Sequence, residues 1–310
     1  MTARRRRRAP RIETAGGGDL TRVESYWGRH TVNTLNLWTR RGSRRQLAQR
    51  FEQYPLFREF SGLWGDHDGE VVLDYGCGPG NDLTGFALYT GARKIVGIDV
   101  SDKALGLASD RLALHGVERE RVRLIHSHDT DEQIPLEDES VDYLQSQGVL
   151  HHVSDPEAAL SQLRRVLKPG GRGCVMVYNR ESLWFHLYVA YGLMVREETF
   201  PGLSVDEAFT RSTDGPDCPI SRNYRGPEFV AICEAAGFEA EYLGGYLSAV
   251  EMDALAEDLR RAIADDRLAD EHRDFLRALT YDASGYPMYE GMHAGIGGTY
   301  RLRRPSDNGD

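Results

Sequence analysis

The segment Val71-Val-Leu-Asp74 runs directly into the loop Gly76-x-Gly78-x-Gly80, and this feature constrains the fold more than any other. A short apolar run bounded by turn residues predicts a buried strand. Glycine lets the backbone turn sharply and come close to a ligand where a side chain would collide. Because Gly80 then opens a helical pattern, the order strand, glycine loop, helix predicts a nucleotide-type ligand at a strand end of an α/β sheet.

Short apolar runs separated by helix-length stretches continue from Glu70 onward. They predict five strands, over residues 71–74, 94–99, 122–126, 141–147 and 173–178, with four helices between them. Leu167-Lys-Pro-Gly-Gly171 predicts the end of the helix before the fifth strand, since proline cannot continue a helix and glycine accepts the geometry that follows one. A sixth strand is expected from Gly237, a long helical pattern over 252–279 and a seventh strand over 298–302.

Composition divides the chain into five regions. Residues 1–20, with the arginine run 4–8, are expected to be a disordered basic tail. Residues 21–69 mix aromatic, leucine and arginine residues and predict an N-terminal helical cap. Residues 70–180 form the ligand-binding core, residues 181–226 an insertion expected to bind substrate, and residues 227–310 the C-terminal part of the same fold.

Charge and cysteine content exclude several classes of protein. The first 50 residues hold 13 arginines and 3 acidic residues, so the net charge of −10 leaves a strongly acidic body. An acidic body disfavours nucleic acid as a partner. The absence of a long apolar stretch predicts a cytoplasmic protein with no membrane partner, and the four scattered cysteines predict free thiols rather than a zinc site or disulfides.

The spacing of the loop distinguishes between ligands. A dinucleotide pyrophosphate requires Gly-x-Gly-x-x-Gly, whereas the third glycine here follows after one residue and Asp74 would repel a phosphate. Asp99 ends the next strand, where its carboxylate can accept the hydroxyl hydrogens of a ribose. A ligand with an ammonium group therefore fits better than a nicotinamide dinucleotide, although an oxidoreductase remains an alternative.

Five ordered motifs resemble those of the class I S-adenosylmethionine-dependent methyltransferases. They are Leu73-Asp-Tyr-Gly-Cys-Gly-Pro-Gly80, Ile95-Val-Gly-Ile-Asp-Val-Ser101, Ile134-Pro-Leu-Glu-Asp-Glu-Ser-Val-Asp-Tyr143, Gln147-Gly-Val-Leu-His-His152 and Leu167-Lys-Pro-Gly-Gly171. The resemblance implies a Rossmann-like, seven-stranded, mostly parallel sheet with helices on both faces, an N-terminal helical cap and an insertion after strand five. It also implies an enzyme that uses S-adenosylmethionine.

The same resemblance assigns roles around the donor. Gly76, Gly78 and Gly80 would pass under the methionine moiety, beside Asp74, and Asp99 would hold the ribose. Asp129, Thr130 and Asp131 compete for the place beside the adenine, and Gln147 would also contact the donor. Tyr26 and Trp27 stand where many family members place an aromatic lid over the sulfonium, a contact worth about 0.5–2 kcal/mol, with core packing as the alternative.

Methyl transfer needs a nucleophile aligned behind the methyl group, and an oxygen nucleophile benefits from a base. His152 and His151, just after the fourth strand, are the first candidates because histidine exchanges protons near neutrality. A role in shaping the loop is the alternative, and His30, His186 and Tyr224 are further candidates.

The acceptor is expected to contact Trp184, Tyr188, Arg222 and Tyr224 of the insertion and its flank. The favoured reaction is O-methylation of a polar small molecule such as a sugar or a specialised metabolite, with N- or C-methylation as alternatives. A noncatalytic binding module is the alternative from another class. No carboxylate and histidine cluster has clear ligand spacing, so no essential metal is expected.

Overall fold

The structure is a computed structural model, and it describes residues 9–14, 21–32, 34, 35, 37–129 and 133–306. The strands are β1 (Ile12–Thr14), β2 (Val71–Tyr75), β3 (Lys94–Asp99), β4 (Val122–His126), β5 (Val141–Gln147), β6 (Leu167–Asn179), β7 (Asn223–Tyr224), β8 (Glu239–Tyr246), β9 (Thr280–Tyr281), β10 (Pro287–Tyr289), β11 (Met292–His293) and β12 (Gly297–Arg303). The helices are α1 (Arg22–Arg29), α2 (Arg40–Gln53), α3 (Phe57–Ser61), α4 (Asn81–Tyr89), α5 (Asp102–His115), α6 (Pro156–Val166), α7 (Val205–Thr213), α8 (Gly226–Ala235), α9 (Ala249–Ala264) and α10 (Asp270–Arg277). A 3₁₀ turn covers Arg119–Arg121 and a π-helix covers Trp184–Arg196.

The main sheet has the strand order β1-β4-β3-β2-β5-β6-β12-β8, with β7 also paired to β6. Its strands are parallel except β12, which lies antiparallel between β6 and β8. Consecutive residues of β2 point to opposite faces: Val72 packs with α4 and α5, and Leu73 packs with α6 and α8. Burial on both faces explains the uninterrupted apolar runs of the sequence and confirms the expected α/β fold with helices on both sides.

The sheet has nine strands among the described residues, not the seven expected. One addition, β1, lies in the region predicted to be a disordered tail, and that prediction is wrong for residues 12–14. Ile12–Thr14 pairs in parallel with Leu124–His126 of β4, which satisfies backbone groups that an edge strand would leave unpaired. Residues 1–8, including the arginine run, and residues 15–20 lie outside the described part of the chain.

The fifth predicted strand begins earlier than expected, at Leu167 rather than at residue 173. The preceding helix does end at Val166, as Pro169 and its neighbouring glycines predict. The chain then pairs at once with β5 through Leu167 and Val141, and a register irregularity between Val141 and Tyr143 absorbs the turn residues. The other added strand, β7, pairs with the end of this long strand.

The insertion and the C-terminal part pack together instead of lying apart. The π-helix contacts α7, α9 and α10, and their apolar side chains form clusters separate from the two that cover the sheet. The long helix expected over 252–279 is interrupted, because the Asp265 side chain accepts the backbone N–H of Arg267 and forms a turn between α9 and α10. This helical layer lies beside the carboxyl ends of the strands. Ile296, which packs in its apolar cluster, and Ser248, which caps α9, lie at those strand ends.

The four cysteines are buried and free, as predicted. Within the described ranges, none of the helices has the length and apolar character that crossing a membrane requires.

Candidate active site

A cavity of about 550 Å³ opens where β2, β3, β4 and β5 end. The carboxyl ends of parallel strands meet at one edge of a sheet, which is the usual ligand position in open α/β folds. Its walls combine residues from the glycine loop, the cap, the insertion and the C-terminal part; those used below are Trp27, Gly76, Gly78, Asp99, Asp129, Gln147, His152, Tyr178, Trp184, Asp214, Tyr246 and Val250.

Two glycines of the loop form part of the cavity wall. Gly76 has φ +76°, and a Cβ built there would lie 2.2 Å from Cγ2 of Val149. Gly78 has φ +51°, and a Cβ there would meet no atom within 4 Å, so it would project into open space. The loop therefore presents bare backbone to the cavity at Gly78, while Gly76 allows close packing against Val149.

Gly80 has a different role from the one expected. It lies outside the cavity wall, and its φ of +77° places it at the start of α4. A Cβ there would lie 2.8 Å from Cβ of Ala108 on α5. Contact of Gly80 with the ligand stays a prediction, and the structure supports a packing role, because this glycine allows α4 and α5 to approach each other.

Asp99 is held rigidly at the end of β3. Its Oδ2 accepts the backbone N–H of Gly78 at 2.7 Å, and its Oδ1 accepts that of Ser101 at 2.8 Å. Burial raises the pKa of Asp99, and these two hydrogen bonds oppose that rise. Each oxygen keeps a second lone pair, so the carboxylate can accept two further hydrogens from a ligand in the cavity.

Asp74 lies beneath the loop and not in the cavity wall. Its Oδ2 is buried without a hydrogen-bond partner among the described residues. Burial, followed by the nearby carboxylate of Asp82, raises the pKa of Asp74, and the Arg50 guanidinium, which is hydrogen-bonded to Asp82, opposes this. The expectation of direct ligand contact by Asp74 stays a prediction, since the side chain is buried beneath the loop.

The residues after β4 form one end of the cavity. Asp129 lines it, and its Oδ1 accepts the backbone N–H of Ser154 at 3.2 Å. The backbone N–H of Asp129 donates to Oε1 of Glu24 at 2.9 Å, which connects the cap to this wall. Of the three candidates for the place beside the adenine, Asp129 lines this wall. The other two, Thr130 and Asp131, lie outside the described residues.

Gln147 lines the cavity at the end of β5, as expected. Its Nε2 lies 3.7 Å from Sγ of Cys174, and its Oε1 is buried without a partner among the described residues. A buried amide oxygen without a partner is costly, so it is suited to accept a hydrogen bond from a ligand.

The aromatic lid consists of Trp27 and not of Tyr26. Trp27 lines the cavity with its ring centroid 4.8 Å from that of His152. The Tyr26 side chain turns away, stacks on His30 at 4.1 Å and donates its hydroxyl hydrogen to the backbone oxygen of Asp214. The assignment of Tyr26 as a ligand contact stays a prediction, since Trp27, and not Tyr26, lines the cavity.

His152 is positioned as a proton acceptor. Its Nδ1 lies 2.7 Å from the backbone oxygen of Ile220, which can only accept, so Nδ1 carries the hydrogen and Nε2 carries a lone pair. Nε2 lies 3.5 Å from Oδ1 of Asp214. Burial lowers the pKa of His152 and the Asp214 carboxylate opposes this, so the ring is neutral near pH 7 and Asp214 would stabilise the ring after it takes a proton.

His151 does not reach the cavity. Its ring is fully buried, 3.9 Å from the ring of Tyr178, and burial lowers its pKa well below the ordinary value. His151 as a base stays a prediction that this geometry does not support, since His152 lines the cavity and His151 does not. Of the further candidates for the base, His30 lines the cavity. His186 lies outside it, with its Nδ1 hydrogen-bonded to Nδ1 of His272 at 2.8 Å.

Asp214 organises this wall; its sequence neighbourhood left open both a polar binding segment and a solvated loop. Its Oδ1 accepts the hydroxyl of Tyr178 at 2.8 Å, and its Oδ2 accepts the hydroxyl of Ser221 at 2.7 Å. His152, Asp214 and Cys218 place their donor atoms within 4.8 Å of one another, and among the described residues they form the one group with the composition of a metal site. The group is satisfied without a metal, since two hydroxyls bind Asp214 and the Cys218 thiol lies 3.3 Å from the Ile220 oxygen.

Trp184 is the one expected acceptor contact that the structure places in the cavity wall. Its indole Nε1 donates to the hydroxyl of Thr213 at 2.9 Å, which fixes the ring. Tyr188 packs against Trp184 with ring centroids 4.5 Å apart and lies outside the wall. The assignment of Tyr188 as an acceptor contact stays a prediction, since its ring lies behind that of Trp184 and packs against the helical layer.

Arg222 and Tyr224 lie outside the cavity wall, so their assignment as acceptor contacts stays a prediction without support from this geometry. Arg222 donates to the backbone oxygens of Val153 at 2.6 Å and Ser154 at 3.2 Å, and so holds the loop that follows His152. Tyr224 is buried beside Phe229, with ring centroids 5.1 Å apart.

Comparison with known proteins shows which proteins the sheet core of this chain resembles. Residues 66–203 match the family model described as "Methyltransferase domain". A 37.1 kDa protein of transposon TN4556 in Streptomyces fradiae is 36% identical over 172 residues, which are 55% of this chain and 44% of that protein. Ubiquinone biosynthesis O-methyltransferase of Dechloromonas aromatica is 37% identical over 112 residues, which are 36% of this chain and 46% of that protein. The chain thus spans about half the length of the curated relatives it matches.

One solved structure resembles nearly the whole chain. It is the Haemonchus contortus phosphoethanolamine N-methyltransferase 2 in complex with S-adenosyl-L-methionine, with a TM-score of 0.51 and 18% identity. The likeness covers 93% of this chain and 61% of that chain and concerns the fold alone.

Proposed function

We propose that this protein is a class I S-adenosylmethionine-dependent methyltransferase, since residues 66–203 match the methyltransferase-domain model, and that it methylates a hydroxyl group of a small molecule bound in the cavity described above. The observation that carries the proposal is that one cavity contains both the glycine loop with Asp99 and the His152–Asp214 pair. Donor and acceptor groups can therefore meet inside a shared, partly enclosed space, which methyl transfer requires.

The residues of the sheet side fit S-adenosylmethionine. The open space at Gly78 admits a ligand chain, and the free lone pairs of Asp99 suit two ribose hydroxyls. The amide oxygen of Gln147 and the face of Trp27 suit cationic groups. When bound, the donor supplies a methyl group activated by its positively charged sulfur.

His152 would take the proton from the acceptor hydroxyl through Nε2. The Nδ1 hydrogen bond to Ile220 fixes the ring, and Asp214 stabilises the positive charge that the ring acquires. Tyr178 and Ser221 hold the Asp214 carboxylate in place by donating to its two oxygens. No step requires a metal, so a chelator should leave turnover unchanged.

The acceptor that we propose is a hydroxylated aromatic molecule. Of the two acceptor classes that the sequence suggested, this choice favours a specialised metabolite over a sugar. The rings of Trp27, Tyr178, Trp184 and Tyr246 line the cavity together with the His152–Asp214 pair. Aromatic side chains in a binding site favour a flat aromatic ligand, which can pack against their rings. A flat aromatic ring with one hydroxyl near His152 fits this combination better than a sugar does.

The test combines acceptor choice with a variant of the base. Wild-type protein should form S-adenosylhomocysteine with simple phenols and not with monosaccharides. His152→Gln should lower kcat roughly 10²- to 10⁴-fold and leave the Kd of S-adenosylhomocysteine unchanged. The matched control is His293→Gln, since His293 bonds Asp282 outside the cavity and its loss should leave turnover near normal.

The pH dependence gives a second readout. His152 must be neutral to accept a proton, so kcat/KM should rise with pH and level off once the ring is deprotonated. Because burial lowers the pKa of His152 below its ordinary value of 6.5, the inflection should lie below that pH and disappear in His152→Gln. Turnover of monosaccharides alone would contradict the acceptor class, and normal turnover by His152→Gln would contradict the base.

A further inference from the structure

Three large apolar side chains are exposed within seven residues of the cap. Val32, Leu35 and Trp38 are 55%, 78% and 72% exposed, although Leu37 between them is only 3% exposed and packs inward. Single exposed apolar residues are common on protein surfaces, but a cluster marks an interaction site. The other large apolar residues exposed in the described part of the chain are Tyr89, Val250 and Tyr281.

A basic helix face adjoins these residues. Arg41, Arg44 and Arg45 lie one helical turn apart on α2 and are exposed, whereas Ser43 and Leu47 of the same helix are buried. The first turn of α2 contains no acidic residue, and arginines there do not stabilise a helix, because its amino end is already positive. Stability of α2 therefore does not explain this charge.

The charge of this region contrasts with that of the rest of the chain. Residues 21–50 contain seven arginines and one acidic residue, while the chain as a whole has a net charge of −10. A negatively charged surface would attract this part of the molecule and repel the remainder. Such a partner would therefore bind the protein in one orientation, with the exposed apolar residues facing it.

One of these apolar residues, Val32, also lies at the cavity. Thr31 and Val32 line the cavity, as does Val250, which is 41% exposed. A surface that contacts Val32 and Trp38 would thus cover one side of the opening.

We propose that Val32, Leu35 and Trp38, together with Arg41, Arg44 and Arg45, bind the surface of an anionic lipid membrane. Tryptophan and aliphatic side chains enter the boundary between headgroups and acyl chains, and arginines pair with anionic headgroups. A peripheral contact of this kind needs no spanning helix, and it differs from the expectation of no membrane partner that the composition suggested. An apolar aromatic acceptor could pass from the membrane into the cavity; this consequence rests on the proposed function, whereas the binding itself does not.

The test is co-sedimentation of the full chain with lipid vesicles. Wild-type protein should bind vesicles of phosphatidylcholine mixed with phosphatidylglycerol, bind vesicles of phosphatidylcholine alone at least about 10-fold more weakly, and lose binding at high salt. The double variant Arg44→Glu/Arg45→Glu and the variant Trp38→Ser should each weaken binding about 10-fold or more. Thermal unfolding of each variant verifies that it is folded.

Matched controls separate this surface from general charge and general hydrophobicity. Arg260→Glu/Arg261→Glu changes two neighbouring exposed arginines of α9, and Tyr281→Ser changes another exposed ring; both should bind like wild type. Equal loss in these controls, or wild-type indifference to anionic vesicles, would overturn the proposal. Binding to duplex DNA but not to vesicles through Arg44 and Arg45 would also overturn it. Formation of S-adenosylhomocysteine with a soluble phenol tests the proposed function separately.

Discussion

Gly76 and Gly78 stand two residues apart in one loop, both with positive φ, yet they respond to different constraints. Gly76 is confined by the side chain of Val149, so packing within the protein requires it. Gly78 faces open space in the cavity and donates its N–H to Asp99, so ligand approach and loop geometry require it. At the residue scale, stability and donor binding can therefore be separated by two matched substitutions.

Gly76→Ala should lower the free energy of unfolding by about 2–4 kcal/mol, because left-handed backbone strain adds to overpacking against Val149. Gly78→Ala should cost only about 1–2 kcal/mol but should weaken binding of S-adenosylhomocysteine at least about 10-fold, since its Cβ enters the cavity. Urea unfolding and titration calorimetry measure the two quantities. A larger stability loss in Gly78→Ala than in Gly76→Ala would contradict this division.

At the scale of elements, two helices begin with the same capping arrangement in different surroundings. Ser204 and Glu207 cap α7 at the surface, and Ser248 and Glu251 cap α9 in the interior. Glu251 also accepts the backbone N–H of Trp184 at 2.9 Å, and burial raises its pKa to about 8. One buried carboxyl group thus joins the start of α9 to the start of the π-helix that carries Trp184.

Glu251→Ala should lower the free energy of unfolding by about 2–5 kcal/mol, because two buried N–H groups lose their partner. Glu207→Ala, the matched change at an exposed cap, should cost about 0.5–1 kcal/mol. The KM for the acceptor should rise in Glu251→Ala alone, since Trp184 loses its anchor. Similar unfolding midpoints for the two variants would show that the buried cap has no additional role.

The whole molecule is organised around a cavity whose walls come from every region. Buried Arg111 of α5 donates to Ser43 of the cap and is hydrogen-bonded to Asn81 of α4, which ties the cap to the core. Asp82, in the first turn of α4, is buried and paired with Arg50 of the cap, which adds a second connection between cap and core.

S-adenosylhomocysteine at 100 times its Kd should stabilise the folded chain by about 2.7 kcal/mol and raise Tm by several degrees. NAD and NADH at the same concentration should leave Tm unchanged. Differential scanning fluorimetry makes the comparison, with Asp99→Asn as the control that should lose most of the shift. A shift with NADH in place of S-adenosylhomocysteine would favour an oxidoreductase.

Sequence alone determined the sheet core, the donor loop and Asp99, because each is a local pattern: an apolar run, a glycine spacing, and an acid at the end of the next strand. The same patterns could not find β1, whose three residues become a strand only beside the edge of β4. Nor could they divide one long helical pattern into α9 and α10, since that division depends on a side-chain turn at Asp265.

The acceptor side was decided by the tertiary structure. Sequence reasoning selected His152 and Trp184, which line the cavity, and also Tyr26, His151 and Tyr188, which are neighbours of cavity residues along the chain and lie outside its wall. Whether a side chain reaches the cavity depends on the rotation of its helix or strand against distant segments. The pair of His152 and Asp214, 62 residues apart in sequence and 3.5 Å apart in space, arises from packing between segments, which local periodicity does not encode.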